Sequence, residues 1–279
     1  MDHYAVIGHP IAHSRSPFIH AAFARQTGEA LDYQARLAPL DGFAASVAEF
    51  WRTGGRGLNV TVPFKLAAHA LADTLTPRAA AAGAVNTLAR QADGRVLGDN
   101  TDGAGLVRDI VHTLGMSLTG ARILLLGAGG AARGALLPLI ECRPAAIVIR
   151  NRTATKADEL ATQFAAPAAA CAVTLRGAGF DEHASERFDI LINATSASLG
   201  NEVPPLATAC YASSQLAYDM MYGAAPTAFL RAAQAAGAPR CVDGLGMLVE
   251  QAAESFFLWR GVRPHTAPVL AALRAQLQG

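Results

Sequence analysis

The stretch Leu124-Leu125-Leu126-Gly127-Ala128-Gly129-Gly130-Ala131-Ala132 decides the fold. Three leucines in a row read as a buried strand, and G-x-G-x-x-A then reads as the turn into a helix. Gly127 permits the tight turn, Gly129 lets backbone amides approach a pyrophosphate, and Ala132 is small enough for close helix–strand packing. The helix N-terminus faces the anion, because its first N–H groups are unpaired and its dipole is positive there. Such a turn alone could bind nothing. Its setting, after an apolar strand and before a helix, points to a dinucleotide.

The next strand ends at Ile149-Arg150-Asn151-Arg152-Thr153. A site for NAD would carry an acid here, about twenty residues beyond the first glycine, to meet the ribose hydroxyl. Instead the chain offers Asn151, Arg152, Thr153 and, one turn later, Lys156. Two cations with an amide and a hydroxyl suit a 2′-phosphate, which arginine can hold in a fork. The bland alternative is a solvated basic strand end in which Thr153 caps the next helix. Taken with the glycine turn, NADP is favoured.

Around this unit the chain alternates short apolar runs with longer amphipathic ones. Strands are expected at Ile123–Leu126, Ile147–Arg150, Ile190–Asn193, Leu216–Asp219 and Arg240–Val242, with helices between most of them. A separate series precedes it. Tyr4–Gly8 reads as a strand, Ser16-Pro17 as a cap with proline in the first helical turn, and Leu31–Leu37 as an alternating strand. A helix follows over Asp41–Trp51, a strand over Leu58–Val62, and a hairpin of Val85–Arg90 and Arg95–Gly98 around Asp93-Gly94. A helix over Asp102–Gly115 joins the two series. The expected class is α/β, with an N-terminal α/β domain for substrate and a doubly wound Rossmann domain for NADP. The expected boundaries are 1–102 plus about 245–279 for the first and 103–244 for the second.

Composition excludes several classes. Of 279 residues 52% are hydrophobic and 16% charged, so the chain can bury a core and is not disordered. The most apolar stretch, Ile123–Ile140, contains Arg133, Pro138 and several glycines, so it is no membrane span. A net charge of +1 without a basic block argues against nucleic acid as a partner. Four cysteines, at 142, 171, 210 and 241, form no C-x-x-C pair and no metal site is expected. Met1-Asp2-His3-Tyr4 lacks the basic start of a secretory signal, which favours the cytoplasm. A homodimer is left open.

Polar residues interrupt the first series where a plain core strand would not have them. They are Ser14-Arg15-Ser16-Pro17, Asn59-Val60-Thr61-Val62-Pro63-Phe64-Lys65, Gly83-Ala84-Val85-Asn86-Thr87 and Gly98-Asp99-Asn100-Thr101-Asp102-Gly103. Read locally, Ser14 and Ser16 could be helix caps, Lys65 a solvated helix residue and Asp102 an N-cap. With Ile192–Ser196, Tyr218–Tyr222 and Asp243–Gln251 added, the whole chain resembles shikimate dehydrogenase.

The resemblance implies hydride transfer between NADPH and 3-dehydroshikimate, in a cleft between the two domains. It implies that Ser14, Ser16 and Tyr222 hold the substrate carboxylate. Thr61, Asn86, Asp102 and Gln251 would meet the ring hydroxyls, and Lys65 paired with Asp102 would move the proton while also touching substrate. On the cofactor side it implies Gly127, Ala128, Gly129, Gly130 and Ala131 for the pyrophosphate, and Asn151, Arg152, Thr153 and Lys156 for the 2′-phosphate. Met220 and Gly244 would lie by the nicotinamide. Asn59 reads as a brace for the loop before Thr61, and Met247 and Phe256 read as core. Departures from the family pattern are Pro77, Lys156 in place of arginine, and Ala197–Gly200 in place of a glycine turn. The competing enzymes are a dual-cofactor quinate/shikimate dehydrogenase, which would need an acid at the strand end, and glutamyl-tRNA reductase, which would need a cysteine nucleophile in the first domain. A non-catalytic NADP sensor would have no use for Lys65 and Asp102.

Overall fold

The computed structural model describes residues 1–180, 186–195, 197–200 and 202–278. The chain divides into two compact units, Met1–Gly105 with Val249–Leu273 and Leu106–Leu248 with Arg274–Gly279. At their edges these units differ from the expected ranges. Residues 103–105 join the first, whereas 245–248 and 274–279 join the second.

Through the first series run β1 (Asp2–Gly8), α1 (Ser16–Thr27), β2 (Leu31–Leu37), α2 (Phe43–Arg52), β3 (Gly55–Val60) and α3 (Lys65–Leu71). Then come β4 (Thr74–Leu75), α4 (Pro77–Ala82), β5 (Thr87–Arg90), β6 (Val96–Asp99) and α5 (Asp102–Arg108). The sheet order is β2-β1-β3-β5-β6-β4. β1 pairs parallel with β2 and β3, while β5 turns the sheet antiparallel against β3 and β6. Phe43, Val47 and Phe50, at helical spacing on α2, bury against Ile7, Leu58, Val60 and Leu88. Truncating such a buried ring costs about 3–5 kcal/mol, the transfer loss plus the cavity left behind. β2 keeps its expected limits but buries Tyr33 and leaves Leu37 exposed.

The helix expected over Asp102–Gly115 is not uniform. α5 ends at Arg108, and Asp109–Thr113 forms a π-helical turn. Asp109 is buried there and accepts the Tyr218 hydroxyl at 2.6 Å.

The second series runs β7 (Arg122–Leu126), α6 (Gly130–Glu141), β8 (Ala146–Arg150), α7 (Ala154–Gln163), α8 (Ala165–Ala170) and β9 (Thr174–Ala178). It continues with β10 (Ile190–Asn193), α9 (Thr208–Ala212), β11 (Leu216–Asp219), α10 (Ala228–Ala235) and β12 (Cys241–Asp243), before α11 (Leu245–Arg260) and α12 (Ala267–Gln278). All pairs in this sheet are parallel, in the order β12-β11-β10-β7-β8-β9. Counted within the unit this is the doubly wound order 3-2-1-4-5-6. Its strands are near-continuous apolar runs, as burial on both faces requires. The order reverses between β7 and β10, and in such sheets ligands bind outside the carboxyl ends of the strands at that point. Among the described residues no helix is long and apolar enough to cross a membrane.

Candidate active site

In the first unit β3 ends at Val60, and the turn Thr61–Phe64 delivers Lys65 as the first residue of α3. Asp102 opens α5, its backbone N–H donating to Asn100 Oδ1 at 3.2 Å. The two meet: Lys65 Nζ donates to Asp102 Oδ2 at 2.5 Å. Asn86 Nδ2 donates to the other oxygen, Oδ1, at 2.8 Å. Gln251 Oε1 lies 3.5 Å from Asn86 Nδ2 and 3.4 Å from Thr101 Oγ1. Lys65, Asn86, Asp102 and Gln251 therefore form one cluster. Side-chain exposures of 32% for Lys65 and 20% for Asp102 leave the pair open to a small molecule.

Thr61 is half-buried just before α3, its N–H donating to Ile7 O and its carbonyl accepting from Phe64 N. Ser16 is not the helix cap. It is the first residue of α1, Arg15 occupies the cap position, and Ser14 Oγ accepts the Ser16 N–H at 3.3 Å. The reason is geometric: a cap side chain must reach back to amides ahead of it, and Ser14 is the hydroxyl upstream of the helix. Ser16 itself is buried. Tyr222 is half-buried and belongs to the second unit.

A polar floor underlies this cluster. Asn59 does not brace the Thr61 loop with its side chain. Its Oδ1 accepts the Tyr33 hydroxyl at 2.7 Å, and its Nδ2 donates to Ser255 Oγ at 2.9 Å and Thr87 Oγ1 at 3.1 Å. Thr87, Thr101 and Ser255 are fully buried and carry no expected role. Their signal in the sequence was hydroxyls inside apolar strands and helices. Asp99 was missed in the same way. It is 1% exposed and takes the Arg78 guanidinium in a fork, with Thr76 Oγ1 at 2.5 Å. Burial alone would raise its pKa, but Arg78 holds it below the ordinary value. Pro77 opens α4, and Thr76 caps that helix through Ala79 N.

In the second unit the glycine turn leaves β7 where the strand order reverses. Gly127 has φ +103°, and a Cβ there would stand 3.1 Å from the Thr195 methyl and 3.3 Å from Ala194 O, so glycine is required. Gly129 precedes α6, and open space lies where side chains of Gly129 and Gly130 would be. Ala128 is half-buried and Ala131 exposed, while Ala132 is fully buried against the sheet. A cavity of about 320 Å³ lies against Gly127, Ala128, Gly129, Asn151, Arg152 and Thr195. Asn151 Nδ2 donates to Thr153 O at 3.0 Å. Arg152, Thr153 and Lys156 are exposed. Thr153 stands at the cap position of α7, yet its side chain makes no cap bond. These residues fit a dinucleotide: open glycine amides at a helix N-terminus for a pyrophosphate, and two exposed cations for a further phosphate. Ser196 lies outside the described residues, and Ala197–Gly200 forms a 3₁₀ turn.

Met220 is half-buried after β11, its N–H donating to Asn193 O at 3.0 Å. Gly244 faces its backbone so closely that a Cβ would lie 2.2 Å from Met220 O. Among the described residues no group of His, Cys, Asp and Glu could hold a metal ion.

Comparison with known families matches three descriptions along the chain. They are the shikimate dehydrogenase substrate binding domain over residues 6–88, shikimate / quinate 5-dehydrogenase over 109–200, and the shikimate 5′-dehydrogenase C-terminal domain over 244–274. A protein of Aromatoleum aromaticum named shikimate dehydrogenase (NADP(+)) is 62% identical over 100% of this chain and 99% of its own. One of the same name from Nitrosospira multiformis is 58% identical over 99% and 98%. Among solved structures, an Ael1 enzyme from Pseudomonas putida is 46% identical with a TM-score of 0.92, covering 98% of both chains. The Thermus thermophilus shikimate 5-dehydrogenase in complex with NADP(H) and shikimate is 35% identical with a TM-score of 0.85, covering 99% of this chain and 100% of that one. Identity of this extent, on the same two-unit frame, shows that the chain belongs to the shikimate dehydrogenase family.

Proposed function

We propose that this protein catalyses the reversible NADPH-dependent reduction of 3-dehydroshikimate to shikimate. The observation that carries the reading is the Lys65–Asp102 pair, a cation and a carboxylate in direct contact at a partly open surface. NADPH, when bound, supplies a hydride to the carbonyl carbon. Lys65 donates its proton to the carbonyl oxygen as the C=O electron pair moves onto it, so the product is a neutral hydroxyl. Asp102 keeps the lysine in place and accepts a hydrogen bond from the same hydroxyl. A positioned acid of this kind contributes about 10²–10⁴-fold.

The remaining residues bind and orient. Ser14, Ser16 and Tyr222 take the substrate carboxylate. Thr61, Asn86 and Gln251 meet the ring hydroxyls, and matching donors to acceptors there selects the polyol. Gly127, Ala128, Gly129, Gly130 and Ala131 present backbone to the pyrophosphate. Asn151, Arg152, Thr153 and Lys156 take the 2′-phosphate, and Met220 and Gly244 flank the nicotinamide. The same reading makes residues 1–102 with about 245–279 the substrate-binding part and 103–244 the cofactor-binding part. It places the enzyme in the cytoplasm, acting on small molecules without nucleic acid; light scattering decides whether it is a homodimer.

The experiment follows the absorbance of reduced nicotinamide with 3-dehydroshikimate, with NADPH and then NADH, and repeats it with the quinate couple. Turnover with 3-dehydroshikimate and NADPH is expected. An inactive but folded and NADP-binding protein would return the sensor reading.

A further inference from the structure

We propose that Thr87 is a positioning residue for the reaction: its hydroxyl fixes the Asn86 carboxamide so that the amide N–H points at Asp102. The proposal rests on the catalytic reading of Asp102 given above.

Proton accounting carries it. Asn86 Oδ1 accepts the Thr101 backbone N–H at 2.8 Å, and a backbone amide can only donate. The Asn86 nitrogen therefore faces Asp102 Oδ1, 2.8 Å away, where a carboxylate can only accept. Thr87 Oγ1 lies 2.9 Å from the same Asn86 oxygen, so Thr87 is the donor in that contact. Its lone pairs accept Asn59 Nδ2 at 3.1 Å, and Asn59 Oδ1 accepts the Tyr33 hydroxyl at 2.7 Å. Donation thus runs one way, from Tyr33 through Asn59, Thr87 and Asn86 to Asp102.

All four donors are buried. In a low-dielectric interior a chain of this kind polarises, each bond strengthening the next. Thr87 makes its contact with Asn86 and acts on Asp102 through it. Around Asp102, Lys65 from α3 is cationic and Asn86 and Gln251 are neutral. Asp99 is engaged by Arg78, and Glu254 on α11 by Arg78 and Arg263. Without the Thr87 proton, the Asn86 oxygen keeps only its Thr101 contacts, and the carboxamide loses one of the bonds that fix its plane. Asp102 Oδ1 then loses a well-aimed donor, and the carboxylate is held less firmly in the orientation that meets Lys65.

The test compares Thr87→Val, which keeps the shape and removes the hydroxyl, with Thr87→Ser, which keeps the hydroxyl. Thr87→Val is expected to lower kcat about tenfold, the size of one net hydrogen bond, with the KM for NADP unchanged. Thr87→Ser is expected to restore kcat. Equal losses in the two variants, or a wild-type kcat in Thr87→Val, would overturn the proposal. Should Thr87→Val not fold, Tyr33→Phe breaks the same chain at its far end; a smaller loss of kcat supports the proposal and an unaltered kcat overturns it. Asp102→Asn separates the levels. If it is fully active, the catalytic reading of Asp102 falls and the proposal with it. If it is inactive while Thr87→Val is unaltered, only the proposal falls.

Discussion

The Arg78 guanidinium grips both oxygens of the Asp99 carboxylate, at 2.7 and 2.5 Å, three residues before Asp102. Asp99 also takes the Asn100 N–H at 2.7 Å, so the pair fixes the strand end from which Asp102 departs. Burial is the largest single influence on the Asp99 pKa and raises it, but Arg78, Thr76 and the Asn100 N–H together hold it below the ordinary value. A lowered carboxylate pKa adds stability that is present above the unfolded value and lost as pH falls through the folded one. Urea midpoints should therefore drop in acid below about pH 4, and Asp99→Asn should flatten that dependence. Arg78→Ala, which strands a buried charge, should cost about 3–5 kcal/mol at neutral pH. An acid dependence unaltered in Asp99→Asn would refute the assignment.

Lys65→Met keeps the aliphatic stem and removes the ammonium that lies 2.5 Å from Asp102. It should lower kcat by about 10²-fold or more, while equilibrium dialysis still finds shikimate and NADP bound. Near wild-type turnover with an unchanged pH profile would mean that water or another group supplies the proton.

Arg152 is exposed at the end of β8, beside the cavity under the glycine turn. Arg152→Ala should raise the KM for NADP and hardly alter the use of NAD. One or two charge-assisted bonds, at about 1.5–3 kcal/mol each, set a loss between about tenfold and about 10⁴-fold. A wild-type enzyme equally efficient with both cofactors would remove the basis for this reading.

Ser14 and Ser16 now make separable predictions. Ser14 accepts the first amide of α1, so Ser14→Ala should lower thermal stability by about 1 kcal/mol as well as weaken shikimate binding. Ser16 is not the cap, so Ser16→Ala should raise the shikimate KM with little loss of capping. Melting temperature and KM on both variants decide it; a Ser16→Ala enzyme with unchanged KM has no carboxylate contact there.

Gly244→Ala would push a Cβ to 2.2 Å from Met220 O, which is backbone and cannot swing aside. The substitution should cost about 1–3 kcal/mol or more and weaken NADP binding with it. Wild-type stability measured by calorimetry would show that the two segments part easily.

Much of the frame was legible because its signals are local. The glycine turn, β2 and the hairpin at Asp93-Gly94 each carry their own pattern. β9 was not legible. Thr174-Leu175-Arg176-Gly177-Ala178 is a half-exposed edge strand with no apolar alternation, fixed by its pairing with β8. The π-helical turn at Asp109 hides inside an ordinary helical pattern, because one wider turn alters no residue type. At the site, Lys65, Asn86, Asp102 and Gln251 were found through the family's motifs, and local sequence would have left them as surface and cap residues. Thr87, Ser255 and the Arg78–Asp99 pair act through partners far away in the chain, and no spacing records such contacts.

The first unit closes on itself only when Val249–Leu273 joins Met1–Gly105. Ser255 completes the polar floor, Trp259 Nε1 donates to Leu88 O at 3.1 Å, and Arg260 binds Asp2 and Glu29. On a ribosome adding about 5–20 residues per second, the β1–β6 segment therefore waits on the order of ten seconds for its last helix. During that interval Asn59 and Thr87 lack the Ser255 hydroxyl, and Asp2 and Glu29 lack their guanidinium. The second unit differs: residues 106–248 are continuous in the chain, and only Arg274–Gly279 joins them from beyond.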